Sequence, residues 1–290
     1  MENQVNFAAD LFNKKELKTL QDEIAGIAQY LWERGWAERN AGNFSINITG
    51  MFSRQELEAF SSLPSLTLAK TYPDLARTLF LISGTGTRMR DVAVNPTDFL
   101  CFVYVGGSAD SCHISGWGSR ESKVNPTSEL ATHLAIQQLL IQQKSTEKVV
   151  LHAHVTELIA LTQLAPFKTA EAINAMLWCM HPETMLFVPE GLGLIPFNLP
   201  GSENMAMATL RELGKHKAIL WEKHGCIAVG NSCPEAFDTL DILAKSARIY
   251  FLCKSAGLEP EGFTSVQVDE LRTHYAALGQ INRGDSDKNV

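Results

Sequence analysis

Two histidines separated by one residue, His152 and His154, lie in the run Val149-Val150-Leu151-His152-Ala153-His154-Val155-Thr156. The run is short and apolar and reads as a buried β-strand. Side chains alternate faces along a strand, so positions i and i+2 project to one side, where two imidazoles can grip one metal ion. Taken alone, the pair equally suits one histidine bonded in a core and one at a surface. Two further residues add weight. His224 lies in the strand-like segment Ala218–Gly230, and Glu129 lies in Pro126-Thr127-Ser128-Glu129-Leu130, which has the composition of a helix start. His152, His154, His224 and Glu129 therefore form a candidate catalytic zinc set: three protein ligands with a position left open. A structural zinc would use four closed ligands, commonly cysteines, and no cysteines here have that spacing.

Three polar turns accompany this set. In Glu38-Arg39-Asn40-Ala41-Gly42-Asn43, glycine lets backbone approach a ligand, and the Asn40 and Asn43 amides can donate to oxyanions. The same stretch also reads as a helix C-cap and turn. Ser83-Gly84-Thr85-Gly86-Thr87 follows a strand, and its successive N–H groups can make an anion nest, or it is a plain strand-to-helix turn. It has neither the Lys-Ser/Thr of a Walker loop nor the glycine spacing of a dinucleotide fold. Thr127 and Ser128 precede Glu129 at a helix N-terminus, a ready phosphate site as well as an ordinary cap. Three such turns beside a possible metal point to a phosphorylated substrate.

Elements that could position these groups follow from periodicity. Leu17, Leu20, Ile24, Ile27 and Leu31 predict a helix over 14–34, which Gly35 ends. Strands are expected at 44–49, 78–82, 99–105 and 112–117, the last two as a hairpin, and at 184–188. Helices are expected over 127–143, 156–164, 169–180, 202–216, 234–255 and 268–278, with a helix and loops inserted over 51–76. The tail from Asn282 is charged and small, hence expected to be disordered. The predicted class is α/β: a single domain over 1–280 with a central, mostly antiparallel sheet flanked by helices. No linker and no internal repeat divide it.

The bulk composition narrows the function. With 45% hydrophobic and 20% charged residues the chain has the makeup of a globular protein. A net charge of −7 argues against a nucleic-acid or anionic-membrane surface. No apolar run reaches the roughly 18 residues of a membrane span. Met1-Glu2-Asn3-Gln4 has no basic or apolar leader character, and six scattered cysteines suit a reducing compartment, so a cytoplasmic location is expected.

Seven stretches together carry a family resemblance from Trp32 to about Ser255: Gly35–Asn43, Ser83–Gly86, Pro126–Leu130, His152–Thr156, Leu177-Trp178 with Glu183, Pro189–Pro196 and Lys223–Gly225. In this order they resemble the class II, zinc-dependent sugar-phosphate aldolases, which share a fold with the ribulose-phosphate 4-epimerases and the adducin head domain. Residues 50–76 and the part after about 258 match poorly. The resemblance implies one Zn²⁺ per subunit on His152, His154 and His224. It also implies Glu129 as acid/base, Glu183 as a second acidic helper, and Asn40, Asn43, Ser83, Gly84, Thr127 and Ser128 around the phosphate. A cyclic homotetramer is implied too. Gly35–Asn40 and Leu192–Pro196 tilt the resemblance to the branch that cleaves L-rhamnulose 1-phosphate into dihydroxyacetone phosphate and L-lactaldehyde. Fuculose 1-phosphate cleavage and ribulose 5-phosphate epimerisation are the alternatives on the same scaffold. A non-catalytic module would be expected to have lost metal ligands, yet all are present. His113, His133, His181, His216 and His274 match no motif and read as locally satisfied.

Overall fold

Leucine and isoleucine at helical spacing give helix α1 (Lys15–Glu33) one apolar stripe, and Leu17, Leu20, Ile24, Ile27 and Leu31 are all buried. Gly35, at φ +72°, ends it. Trp36 N–H donates to Leu31 O at 2.9 Å and Gly35 N–H to Trp32 O at 3.0 Å, the bond pair of a Schellman terminus. This termination fixes where the chain points next, toward the turn that carries Glu38, Asn40 and Asn43.

The computed structural model describes residue 12 and residues 14–277. The tail expected to be disordered lies outside them. After α1 come β1 (Asn43–Asn47), α2 (Arg54–Phe60), β2 (Ser65–Thr67), β3 (Leu79–Ser83), α3 (Met89–Val94), β4 (Leu100–Val105), β5 (Ser111–Gly116) and α4 (Leu130–Gln142). They are followed by β6 (Val149–Ala153), α5 (Thr156–Thr162), α6 (Ala170–Met180), α7 (Pro182–Phe187), β7 (Leu192–Ile195) and α8 (Glu203–Leu213). β8 (Ala218–Trp221), β9 (Gly225–Gly230), α9 (Cys233–Ser255) and α10 (Ser265–Ala277) are the last elements among the described residues. The strand order is β2-β5-β4-β3-β1-β6-β9-β8-β7. β1 pairs antiparallel with β3 and β6, β4 with β3 and β5, β5 with β2, and β8 with β9, while β7 and β8 run parallel. The expected α/β class with a large, mostly antiparallel sheet and flanking helices is what the chain adopts.

Contacts within the chain define two compact units. One holds Met1–His154, Leu199–Ala206 and Val229–Phe237, and the other Val155–Asn198, Met207–Ala228 and Asp238–Val290. In the first, β3 and β4 are buried along their whole length, which is why Leu79–Ile82 and Leu100–Val105 read as continuous apolar runs without alternation. In the second, Ile173, Leu177, Leu192, Ile219 and Leu243 belong to the core. No helix among the described residues is long and apolar enough to cross a membrane. None of the six cysteines, all of them among the described residues, is in a disulfide, and burial raises the Cys101 and Cys112 thiols to about 12 and about 11, as inert core groups.

Four local expectations change. Residues 184–188 are not a strand: Pro182 at the first helical position and an extended His181 start α7. The Thr184 hydroxyl is bonded to Ser246 Oγ at 2.7 Å in the core. The segment 218–230 is a hairpin, not one strand, and the chain reverses at Glu222–His224 with Lys223 at φ +63°. Helix α4 begins at Leu130, not Thr127, because Pro126 is held extended in a β-bridge to Gly84, with Thr127 N–H on Ser83 O at 2.9 Å. Leu192–Ile195 is a strand that the motif reading left unassigned.

A Cβ at Gly35 would meet nothing within 4 Å, so Gly35→Ala costs only backbone strain, about 1–2 kcal/mol. Urea unfolding should show that loss, with a smaller one for Gly35→Asn, because asparagine tolerates the left-handed region. Equal losses would show that the terminus is not held by backbone conformation.

Candidate metal centre and its carboxylate

β1 and β6 pair so that Asn43 faces His152 across the ladder. Directly opposed residues project to the same face, so the first strand delivers an amide beside the first imidazole. His152 is almost wholly buried. His154 stands one residue past the end of β6. Its N–H donates to Trp36 O at 2.9 Å, and its Nδ1 lies 2.7 Å from Glu38 Oε1. A carboxylate on one ring nitrogen fixes the tautomer and leaves Nε2 as an electron-pair donor, the pattern of a metal-ligating histidine. Glu38 was quoted in the sequence only as part of a turn; its role is visible once α1 ends and aims it.

His224 occupies the turn between β8 and β9. Trp221 stacks on it with ring centroids 5.2 Å apart and 25° between planes. The buried Trp221 is held in turn by its Nε1–H on Thr209 Oγ1 at 3.0 Å. Lys223 N–H donates to Thr162 Oγ1 at 3.0 Å, while its side chain is exposed and pairs with Glu222 at 3.4 Å. His152, His154 and His224 each offer one donor atom, and these atoms lie within 4.8 Å of one another. Three imidazoles, one of them backed by a carboxylate, are a donor set that suits a divalent transition metal. The residues present fit such an ion.

Glu129 is the N-cap residue of α4. Its Oε2 lies 3.9 Å from His152 Nε2 and accepts Asn43 Nδ2–H at 2.9 Å. Asn43 Oδ1 lies 2.5 Å from His133 Nε2, and His133 Nδ1 lies 2.9 Å from Ser45 Oγ. His133 is wholly inside the protein. Burial pushes its pKa down to about 4, with the opposing pull of Glu129 smaller and His152 adding a little to the fall. Sequence reading set His133 aside, since its signal, spacing of four from Glu129, gains meaning only once β1 lies beneath the helix.

The other expected site residues are distributed as follows. The Ser83 hydroxyl is buried and accepts Phe44 N–H at 3.0 Å. Gly84 N–H donates to Phe99 O and Thr85 N–H to Asn125 O, so the anion nest of successive N–H groups does not form. Those groups are spent zipping residues 83–85 to their neighbours. A side chain at Gly84 would strike Val124 at 2.5 Å, so only glycine fits this close approach. Thr87 Oγ1 in the same loop is buried without a hydrogen-bond partner, an orphan that a ligand could satisfy. The buried Thr127 hydroxyl accepts Glu129 N–H at 3.3 Å, whereas Ser128 and Asn40 are exposed. Glu183 lies in the first turn of α7, 3.0 Å from His181 Nε2. His113 and His216 are satisfied by backbone carbonyls, Leu63 O and Glu190 O.

An α/β sheet protein with a trihistidine cluster and an adjoining carboxylate is the class that fold and site define. Residues 22–251 match the family described as Class II Aldolase and Adducin N-terminal domain, and the chain belongs to that family. It is 38% identical over 267 residues to the rhamnulose-1-phosphate aldolase of Bacteroides thetaiotaomicron, covering 91% of this chain and 97% of that protein. It is 30% identical over 247 residues to the enzyme of the same name from Yersinia pestis, covering 84% and 89%. Among solved structures it resembles a sugar-phosphate aldolase from Thermotoga maritima, with TM-score 0.71, 28% identity and coverage of 85% and 100%.

The depressed pKa of His133 has a consequence for stability. Between about pH 6.5 and pH 4 the unfolded histidine binds a proton that the folded one refuses. Stability therefore falls as pH drops through that window, by about 3 kcal/mol for this group. Unfolding free energies of His133→Phe should decline less steeply over the window than those of the wild type. Parallel declines would mean that His133 is protonated in the folded protein.

Proposed function

We propose that this chain catalyses metal-dependent cleavage of L-rhamnulose 1-phosphate to dihydroxyacetone phosphate and L-lactaldehyde, with zinc on His152, His154 and His224. The observation that carries the reading is Glu129 Oε2, 3.9 Å from His152 Nε2 and oriented by Asn43. The relatives named rhamnulose-1-phosphate aldolase support the choice of substrate.

Breaking the C3–C4 bond leaves an electron pair on the dihydroxyacetone phosphate fragment, and the proton released by the C4 hydroxyl as the aldehyde forms is matched by the proton delivered to C3, so none is gained or lost overall. Zinc supplies a Lewis acid for the developing negative charge. Glu129 carries the proton at C3, delivering it in cleavage and removing it in the reverse condensation. Glu183 serves as a second acidic helper. The exposed Asn40 and Ser128 and the orphan hydroxyl of Thr87 hold the phosphate, while Ser83, Gly84 and Thr127, committed to the protein's own hydrogen bonds, shape the turns around it. Asn43 orients Glu129. The reading is completed by one zinc per subunit in a cytoplasmic homotetramer. Free cysteines suit a reducing compartment, and the tetramer follows from the family resemblance.

Purified protein should release dihydroxyacetone phosphate from L-rhamnulose 1-phosphate, lose that activity to a chelator and regain it with zinc. Turnover of L-fuculose 1-phosphate or ribulose 5-phosphate in its place would overturn the substrate assignment, and chelator-resistant cleavage would overturn the metal. Because Glu38 backs His154, Glu38→Gln should weaken zinc affinity by about 10- to 100-fold, read by competition with a chromogenic chelator. Unchanged affinity would separate Glu38 from the metal centre.

A further inference from the structure

Glu129, His133 and Gln137 recur every four residues from the N-cap of α4 onward, so they form one stripe. Beneath it, Asn43 and Ser45 project from the same face of β1. Gln137 Nε2 is a donor only and reaches Ser45 Oγ at 3.1 Å, Lys148 O at 3.1 Å and Ser45 O at 3.3 Å. The Glu129 carboxylate only accepts, so Asn43 turns Nδ2–H onto Oε2 and Oδ1 toward His133 Nε2, and His133 Nδ1 is left to accept the Ser45 hydroxyl hydrogen at 2.9 Å. A neutral imidazole has one N–H, which then sits on Nε2, against Asn43 Oδ1 at 2.5 Å. The amide can satisfy this only with its oxygen toward His133, which turns Nδ2–H onto Glu129 Oε2 at 2.9 Å. Every link donates in one direction, and the last acceptor is the carboxylate.

We infer that His133 is a positioning residue for the reaction: it locks the Asn43 amide so that Glu129 is held as an oriented acceptor, the form a general base needs. The inference rests on the assignment of Glu129 as the acid/base. The alternative amide orientation would set Asn43 Oδ1 against a carboxylate oxygen, and His133 forbids it by offering a donor where only Oδ1 fits. Burial of the imidazole, with its pKa near 4, keeps it in the neutral, single-donor form that gives the chain its direction.

Three substitutions separate positioning from packing. His133→Phe fills the space and donates nothing. His133→Gln places an amide N–H where Nε2 stood, and His133→Asn places one only near Nδ1. We expect His133→Phe to lower kcat by about 10- to 100-fold, the scale of a misplaced catalytic group, with KM within about twofold. His133→Gln should restore most of kcat and His133→Asn should not, a contrast that survives if the Phe variant fails to fold. The loss in His133→Phe should not add to that of Asn43→Ala, since both break one chain. A kcat within twofold of wild type, full additivity with Asn43→Ala, or equal activity of the Gln and Asn variants would overturn the inference. A measurement without turnover keeps it apart from the function reading. In protein labelled with ¹⁵N-asparagine, the Asn43 side-chain N–H should exchange slowly in wild type and fast in His133→Asn. If the wild type cleaves none of the sugar phosphates, the function reading fails while this exchange still decides whether His133 locks the amide.

Discussion

The antiparallel register of β1 on β6 is the constraint on which the site depends. It sets Asn43 opposite His152 and Ser45 opposite Val150. A slip of one residue would turn every side chain of one strand to the opposite face. The metal-facing imidazole would then lose its neighbouring amide, and the helix stripe above β1 would face Phe44 and Ile46 in place of Asn43 and Ser45. The register is held by burial on both sides: Phe44 and Ile46 are core residues and Ser45 is buried too, so exchanging the faces would set polar groups in the apolar core and leave His133 and Gln137 without their partners on β1. It is held as well by Gln137, whose amide reaches Ser45 and the Lys148 carbonyl at the head of β6.

Four histidines receive four different environments from backbone geometry. His152 sits within a strand, its ring beside a carboxylate. His154, one residue beyond the strand end, is reached by Glu38, which α1 delivers by stopping at Gly35. His224 stands on a hairpin turn with Trp221 behind it. His133 projects from α4 onto β1, where it meets Ser45 and Asn43 and burial keeps it neutral. Imidazole chemistry is common to all of them; what differs is the partner of the second ring nitrogen, and that partner decides whether the first is free to bind an ion.

A buried polar chain of this kind is a costly choice. Each link contributes on the order of 1 kcal/mol net, while a missing partner leaves a buried group unsatisfied at about 1–3 kcal/mol. Residues Gln137, Ser45, His133 and Asn43 therefore stand or fall together, and they specify one arrangement of α4 over the sheet. The loop at 83–87 shows the opposite economy. The N–H groups of Gly84, Thr85 and Thr87 serve the protein's own carbonyls, and the buried Thr87 hydroxyl is without a hydrogen-bond partner.

Periodicity and residue type alone determined much: the stripe of α1 and its glycine stop, the His-x-His strand, the position of Glu129 at a helix start, and the α/β class. These depend on neighbours within a few residues, and local spacing reports them. The helix at 182–187, the hairpin turn that presents His224 and the late start of α4 were not legible, because partners far along the chain overrode local preference: Ser246 for Thr184 and Ser83 for Thr127. The links that orient the carboxylate were hidden for the same reason. Asn43 to Glu129 spans 86 residues, His133 to Asn43 spans 90, and His154 to Glu38 spans 116. Each exists only after the strands have found their register, and a hydrogen bond needs partners within about 3 Å and a fixed direction. The chain thus carried in its own spacing the kinds of group that could do chemistry. The tertiary structure decided which nitrogen of His133 and of His154 was already spoken for, since that is set by whatever packing brings to its other side.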